Sequence, residues 1–297
     1  MKRYFQGVLN GTIAAVSYGT NPLFTLPMYA DGIGVNSVLF YRYAFAVLIY
    51  GFWLKFHKKI SLHITKEEFL PLFFLGIVFS LSSLTLFDAF NFIEAGIACT
   101  ILFIYPVLVT IIMTLFFKEK LTKTIICSIL LTSIGIVLLY HGKPDTKLNI
   151  KGVLLVVSSA LLYAFYIVGV KNIKAVKHIN RAKLSFYVML FGLLIYIVNL
   201  KFCTELQMID KPLLWGCAIA LSIFPTIISL ETITVAIKLI GSTTTAILGA
   251  LEPLTAIFIG VLVFHEQLTA RILAGIVLIL TGVLLIILRK KEKIVNN

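Results

Sequence analysis

Four ionisable side chains lie inside long apolar stretches of the chain: Arg42, Asp88, Glu231 and Glu252. An ionised side chain at the centre of a bilayer costs about 2.5 to 3.5 kcal/mol on insertion scales, so such groups usually face a cavity or a partner. A carboxylate in that position can handle a substrate or a proton, and a guanidinium can attract an anionic group. These four residues are therefore candidates for the lining of a solute pathway.

Each of the four residues also has a purely structural interpretation. Asp88 and Arg42 would satisfy each other as a buried ion pair. Glu231 lies seven residues before Lys238 on the same helical face, so a local ion pair is equally consistent with the spacing. Glu252 precedes a proline and could bond the backbone groups that the proline frees. The sequence leaves both interpretations open.

Uncharged polar residues form two further candidate sets. In the segment SYGTNPLFTLP, the residues Tyr18, Asn21 and Thr25 share one face, and the prolines at 22 and 27 interrupt the backbone hydrogen bonds there. Tyr163 and Tyr166 follow Ser159 on the matching face of a later apolar stretch. Their hydroxyl and amide groups need partners, so these faces line a pathway or pack against other helices.

The elements that hold these residues are membrane-spanning helices. The chain has 297 residues, of which 60% are hydrophobic and 13% charged, and its mean hydropathy is +1.02, whereas soluble domains carry about a quarter charged residues. Apolar runs near the roughly 20 residues that cross a bilayer recur throughout, without the alternation of barrel strands. Ten spans are predicted, at about 7–29, 35–54, 69–92, 95–117, 121–141, 151–171, 182–201, 212–236, 241–264 and 268–288.

Basic residues predict the orientation of these spans. With the N-terminus inside, the inner loops and ends carry 19 lysines and arginines and the outer loops carry 6, so both termini are predicted to be cytoplasmic. The net charge of +13 is explained by these loops, and no nucleic-acid partner is expected. The first span is too long for a cleaved signal peptide and lacks a cleavage site.

The chain contains an internal repeat. The segment YPVLVTIIMTLFFKEKLT at 105–122 matches the segment at 252–269 with one offset of 147 residues, and the same offset relates Gly135 to Gly282. Tyr105 stands where the second copy has Glu252, which makes Tyr105 a further candidate for the pathway. Each repeat, 1–145 and 146–297, is predicted to hold five helices. Because five is odd, the second repeat enters the membrane inverted, as in many secondary transporters.

Other repeated or capping residues are interpreted as structural. Glu119 and Glu266 end two spans and are expected to bond amides of the next helix. Gly135 and Gly282 lie on small faces that suit packing between helices or protomers. The segment from Thr65 to Glu68 predicts a capping box at the start of a helix.

The proline, the apolar run, the glutamate and the Leu-Thr pair, present twice, resemble the EamA-like branch of the drug/metabolite transporter superfamily. Pro106 and Glu119 carry the pattern in the first half, and Pro253 and Glu266 carry it in the second, where Glu252 precedes the proline. The resemblance covers 7–287 and implies a ten-helix carrier of amino acids, metabolites, nucleotide-derived molecules or drugs. It does not name the solute.

The sequence thus predicts an all-α integral membrane protein with ten transmembrane helices in two inverted five-helix repeats. The predicted function is secondary transport, as an exporter or exchanger, of a small organic metabolite such as an amino acid, and the alternative is a facilitative, channel-like pore without ion coupling. Nucleotide-binding loops and the common catalytic motifs are absent from the sequence, so an enzyme is not expected, and neither is a cofactor or a metal. The expected partners are the solute and the lipid bilayer, with proton coupling open and the protein a monomer or homodimer. The composition is typical of a multi-pass protein of a bacterial inner membrane.

Overall fold

The computed structural model describes residues 2–93, 98, 101–139, 149–264 and 269–295. Within these ranges, all regular secondary structure is helical. The predicted all-α membrane class is confirmed. Glu266, with its predicted role, and most of residues 94–100, which include the start of the fourth predicted span, fall outside the described residues.

Six helices of the first repeat lie within the described residues. They are α1 (Lys2–Gly19), α2 (Asn21–Ala30), α3 (Val35–Phe52), which continues as a π-helical turn (Trp53–His57), α4 (Lys66–Ala89), α5 (Tyr105–Phe117) and α6 (Lys123–Leu139). The predicted capping box opens α4: the hydroxyl of Thr65 accepts from the amide of Glu68, and the carboxylate of Glu68 accepts from the amide of Thr65.

The second repeat follows the same order with more interruptions. Its helices are α7 (Ile150–Asn172), the short α8 (Lys174–His178), α9 (Arg181–Asn199), α10 (Pro212–Ser222), a π-helical turn (Ile223–Ile228), α11 (Ser229–Ile240), α12 (Ser242–Leu248), α13 (Leu251–Phe264) and α14 (Ala270–Val295). α10, the π-helical turn and α11 together form one apolar stretch from Pro212 to Ile240.

Seven helical stretches of the described chain are long and apolar enough to cross a membrane, and two shorter apolar helices, Tyr105–Phe117 and Lys123–Leu138, accompany them. The chain is therefore a multi-pass membrane protein. The count of ten spans stays a prediction. The first predicted span is divided at Thr20, because Pro22 stands at the start of α2 and cannot continue the hydrogen bonds of α1.

The first helix of each repeat packs against the third span of the other repeat, so the two halves exchange equivalent contacts. The Ser229 hydroxyl on α11 donates to the carbonyl of Ala14 on α1 at 3.1 Å, and the Ser82 hydroxyl on α4 donates to that of Ser159 on α7 at 3.0 Å. Ser82 and Ser229 are related by the repeat offset of 147 residues. The structure is thus duplicated at the level of individual hydrogen bonds.

Helices α6 and α14 pack against each other through the small residues that the sequence singled out. A β-carbon added at Gly135 would lie 2.8 Å from the carbonyl oxygen of Gly275, and one added at Gly282 would lie 2.9 Å from that of Ser128. Real β-carbons essentially never come closer than 3.0 Å to a neighbouring heavy atom, and a backbone oxygen has little freedom to move. The small faces predicted on these helices therefore serve packing between α6 and α14.

Replacing Gly282 with leucine should destabilise the protein by about 1 to 3 kcal/mol, because the side chain meets backbone that cannot yield. The measurement is the unfolding temperature of the purified protein in detergent. Gly216→Leu is the matched control, since Gly216 is exposed on α10 and a β-carbon there meets nothing within 4 Å. Equal unfolding temperatures for the two variants would contradict the packing argument.

Polar contacts also join the halves where the spans end. The Thr243 hydroxyl, in the first turn of α12, donates to Glu119 Oε2 at 2.9 Å. Glu119 therefore has a structural partner, but that partner belongs to the other repeat and not to the helix that follows it. Lys183 on α9 pairs with Glu68 on α4 at 2.9 Å. These contacts join the two repeats in the conformation described here.

Candidate functional site

A cavity of about 300 Å³ lies where the two repeats meet. The first repeat contributes residues of α1, α2 and α4 and the start of α5, and the second contributes the start of α13. Its polar lining residues are Tyr18, Asn21, Thr25, Tyr29, Tyr105 and Glu252. Five of these, Tyr18, Asn21, Thr25, Tyr105 and Glu252, belong to the candidate pathway residues predicted from the sequence.

Three polar residues of α2 form one face of the cavity. Asn21, Thr25 and Tyr29 are spaced by four residues, so successive turns of α2 place them one above another. The side-chain oxygens of all three are buried and have no hydrogen-bond partner among the described residues. Most buried polar atoms in proteins are hydrogen-bonded, so this face is suited to a polar occupant of the cavity.

Glu252 lines the same cavity from the start of α13. The chain turns at Gly249 and Ala250 before α13 begins, and the equivalent turn at Phe103 and Ile104 precedes Tyr105 at the start of α5. The ninth predicted span is therefore not continuous but is divided into α12 and α13. Irregular backbone at membrane depth is tolerated where it is buried in protein or lines a cavity.

The end of α1 approaches α13 closely at this point. A β-carbon added at Gly19 would lie only 2.5 Å from the carbonyl oxygen of Glu252, so glycine is required for this approach. The contact brings Tyr18 and Glu252 to the same wall. Among the described residues, Glu252 is the only carboxylate that lines the cavity, and no lysine, arginine or histidine lines it.

A row of contacting aromatic rings extends from Tyr105 away from the other lining residues. The ring centroids of Tyr105 and Tyr163 are 4.9 Å apart in an edge contact, and the Tyr163 ring is parallel to that of Tyr166 at 6.3 Å. Phe79 continues the row, tilted against Tyr166 at 4.8 Å. Tyr163 and Tyr166 are therefore not lining residues but form an aromatic floor with Tyr105.

Arg42 is fully buried behind the cavity wall and does not pair with Asp88. Its Nε donates to the Thr226 hydroxyl at 2.6 Å, and its Nη2 donates to the carbonyl of Pro225 at 3.0 Å. Pro225 interrupts the regular hydrogen bonds of its span, and Arg42 bonds the π-helical turn around it. Its Cζ lies 5.7 Å from the ring centroid of Tyr18, so the guanidinium is one ring away from the cavity.

Asp88 and Glu231 are not among the lining residues of the cavity. Asp88 is exposed and accepts from Asn91 Nδ2 at 3.4 Å, so the predicted buried pair with Arg42 is wrong. Lys238 donates to the carbonyls of Val176 and Ile179 at 3.1 and 2.9 Å. No ion pair joins Lys238 to Glu231, which are both described, so that predicted pair is wrong as well.

The sequence reasoning missed Tyr29 and the apolar lining residues. Tyr29 was detectable, because it continues the four-residue spacing of Asn21 and Thr25 along α2. The apolar wall, which includes Leu86, Phe90 and Phe103, had no local signal, because such residues are equally common on faces that meet lipid.

Comparison with known proteins places the chain in a family. Residues 5–141 and 150–288 each match the model of the EamA-like transporter family. No curated protein matches the chain. One solved structure, described as a crystal structure of a protein, has a TM-score of 0.80 and 16% identity, and the match covers 96% of this chain and 98% of that one. At this identity the likeness shows the shared fold.

Proposed function

The chain belongs to the EamA-like transporter family, a family of membrane transporters in the drug/metabolite transporter superfamily, and from this premise we propose that it is a secondary transporter of a small organic solute. The two repeats move against each other and expose the cavity alternately to the two sides of the membrane. Solute export or exchange, with an amino acid or a related molecule as solute, is the form of transport proposed. The proposed location is a bacterial inner membrane, with both termini in the cytoplasm.

The observation that carries this proposal is the position and lining of the cavity. It lies between the repeats, is walled by residues of both, and holds buried oxygen atoms of Asn21, Thr25 and Tyr29 without partners among the described residues. Divided helices border it on both sides, as is typical of solute sites in transporters with inverted repeats. Glu252 adds a carboxylate that can take part in solute or proton handling.

The aromatic floor favours a carrier over an open pore. Tyr105 and Tyr163 are in edge contact below the cavity, and both are buried. A solute that reaches Glu252 therefore meets packed rings and not a continuous channel. Passage requires that the floor opens, which is the step that alternating access supplies.

The carrier proposal is tested by counterflow in proteoliposomes, using candidate solutes such as amino acids, nucleobases and organic acids. A carrier takes up labelled solute faster when the vesicles are loaded with unlabelled solute, and its initial rate saturates. The same uptake measured with and without a pH gradient reports proton coupling. Flux that never saturates and ignores the internal solute would replace the carrier with a pore.

The inverted arrangement of the repeats predicts the sides on which two basic residues lie. Lys118 follows α5 and Arg271 opens α14, and the odd number of spans between them should place Lys118 in the cytoplasm and Arg271 outside. Single cysteines at these positions, in a chain whose four native cysteines are replaced, are probed with a membrane-impermeant maleimide. In intact cells the reagent should label Arg271→Cys alone, and labelling of both variants or of neither would overturn the inverted topology.

A further inference from the structure

We propose that the cavity binds the ammonium group of an organic amine with an apolar body, and that Glu252 is the counter-ion of that ammonium. The proposal deepens the proposed function, because it takes the same cavity as the transport site and names the class of solute. It requires a cation on the ligand but no carboxylate.

The first argument for this proposal is the charge of the residues that line the cavity. Glu252 is the one carboxylate among them, and no basic side chain of the described chain lines the cavity beside it. None of the ion pairs found in the described ranges includes Glu252. A carboxyl group in apolar surroundings is either protonated or accompanied by a cation, and a cation carried by the occupant of the cavity supplies the second alternative.

The lining also supplies the other contacts that an ammonium group needs. The Asn21 carbonyl oxygen and the hydroxyl oxygens of Thr25 and Tyr29 are buried acceptors without partners in the described part of the chain. An alkylammonium group has N–H donors only and no acceptor, so it complements such a set. The aromatic rings of Tyr18 and Tyr105 line the same space and can stabilise a cation through their faces.

The remaining wall is apolar and sets the character of the rest of the ligand. Its residues include Leu26, Leu86, Phe90, Ile93, Leu102 and Phe103. A hydrocarbon or aryl group buries its surface against this wall, which contributes about 25 cal/mol per Å² removed from water. A cavity of about 300 Å³ accommodates a small molecule of this kind.

The proposal assigns no contact to a carboxylate on the ligand, because the one buried guanidinium near the cavity, that of Arg42, is not in its lining. Nε and Nη2 of Arg42 bond Thr226 and Pro225, Nη1 is buried without a hydrogen-bond partner among the described residues, and the whole side chain is buried. An amine and an amino acid with the same side chain thus share the ammonium contact, and the amine should bind at least as tightly.

The test measures binding to the full chain in detergent micelles by thermophoresis, with probes that share an aryl body. Phenethylamine carries the ammonium, 2-phenylethanol is neutral, 3-phenylpropanoate is an anion and phenylalanine is a zwitterion. We expect phenethylamine to bind at least tenfold more tightly than 2-phenylethanol and no more weakly than phenylalanine, with 3-phenylpropanoate the weakest. The proposal would be overturned if 3-phenylpropanoate bound most tightly, if phenylalanine bound tenfold more tightly than phenethylamine, or if phenethylamine did not bind.

A pair of variants ties the preference to one carboxylate. Glu252→Gln should remove the preference for phenethylamine over 2-phenylethanol while leaving the binding of 2-phenylethanol unchanged. Glu231→Gln, which removes a carboxylate outside the cavity, should keep the preference. If the preference survives in Glu252→Gln, Glu252 is not the counter-ion.

The outcome is separable from that of the transporter proposal. Saturable counterflow of another solute, together with no amine binding, would remove the ammonium assignment and leave the carrier in place. Amine binding that depends on Glu252, without counterflow of any bound solute, would remove the carrier and keep the binding site.

Discussion

Replacing Glu252 with glutamine is expected to reduce solute transport at least tenfold while the protein folds normally. The substitution removes the only carboxylate that lines the cavity in the described part of the chain but keeps the size of the side chain, so the contacts of α13 are retained. A tenfold loss corresponds to about 1.4 kcal/mol of interaction with the solute or the proton. The measurement is the initial rate of uptake into proteoliposomes at several pH values, with the unfolding temperature as the check on folding.

Glu231→Gln serves as the matched control for this experiment. Glu231 is a half-buried carboxylate in the first turn of α11, and it lies outside the lining residues of the cavity. Its replacement should leave the rate within about twofold of that of the native protein, because the substitution keeps the size of the side chain and does not change the lining of the cavity. Unchanged transport by Glu252→Gln across the whole pH range would remove Glu252 from the mechanism.

Replacing Gly249 with alanine should block the site as strongly, through the tyrosine beside it. A β-carbon at Gly249 would lie 1.5 Å from the Tyr105 hydroxyl oxygen and 2.9 Å from its Cζ. Tyr105 must then leave its buried position at the floor and enter the cavity, or the turn between α12 and α13 must shift. Either response should lower the transport rate at least tenfold.

The double variant with Tyr105→Phe tests whether that collision is the cause. Removing the hydroxyl removes the shortest contact, so Tyr105→Phe combined with Gly249→Ala should recover part of the lost rate. The coupling between the two positions is read from a double-mutant cycle on the initial rates. Purely additive losses would show that the alanine acts elsewhere than on Tyr105.

The duplication was readable in the sequence because equivalent positions in the two halves perform equivalent packing. Gly135 and Gly282 each need to be small for the same reason, since each faces the backbone of the partner helix. Asn21 and Thr25 were identified for a different reason. Both lie on one helix, and the four-residue spacing that puts them on one face is visible in the sequence. A pattern that depends on a single helix can therefore be recognised from the sequence alone.

The partners of Arg42 and Glu119 were not readable. Arg42 bonds a π-helical turn around Pro225, and Glu119 accepts from Thr243, so both contacts join residues of opposite repeats. In the sequence, opposite charge suggested Asp88 as the partner of Arg42. Nearness along the chain suggested an amide of the next helix as the partner of Glu119. The division of the ninth span at Gly249 was missed for a related reason, since a glycine within an apolar run has no single structural meaning.

The exchange of first helices between the repeats constrains how the protein is made. α1 finds its packing surface on α11, where a β-carbon at Gly7 would lie 2.4 Å from a side-chain atom of Ile240. During synthesis α1 is inserted into the bilayer before α11 is made. The face of α1 that carries Gly7 therefore contacts lipid until most of the chain has left the ribosome. A chain released before α11 is complete therefore leaves this face of α1 exposed to neighbouring proteins. Quality-control proteases of the membrane would encounter the incomplete chain there.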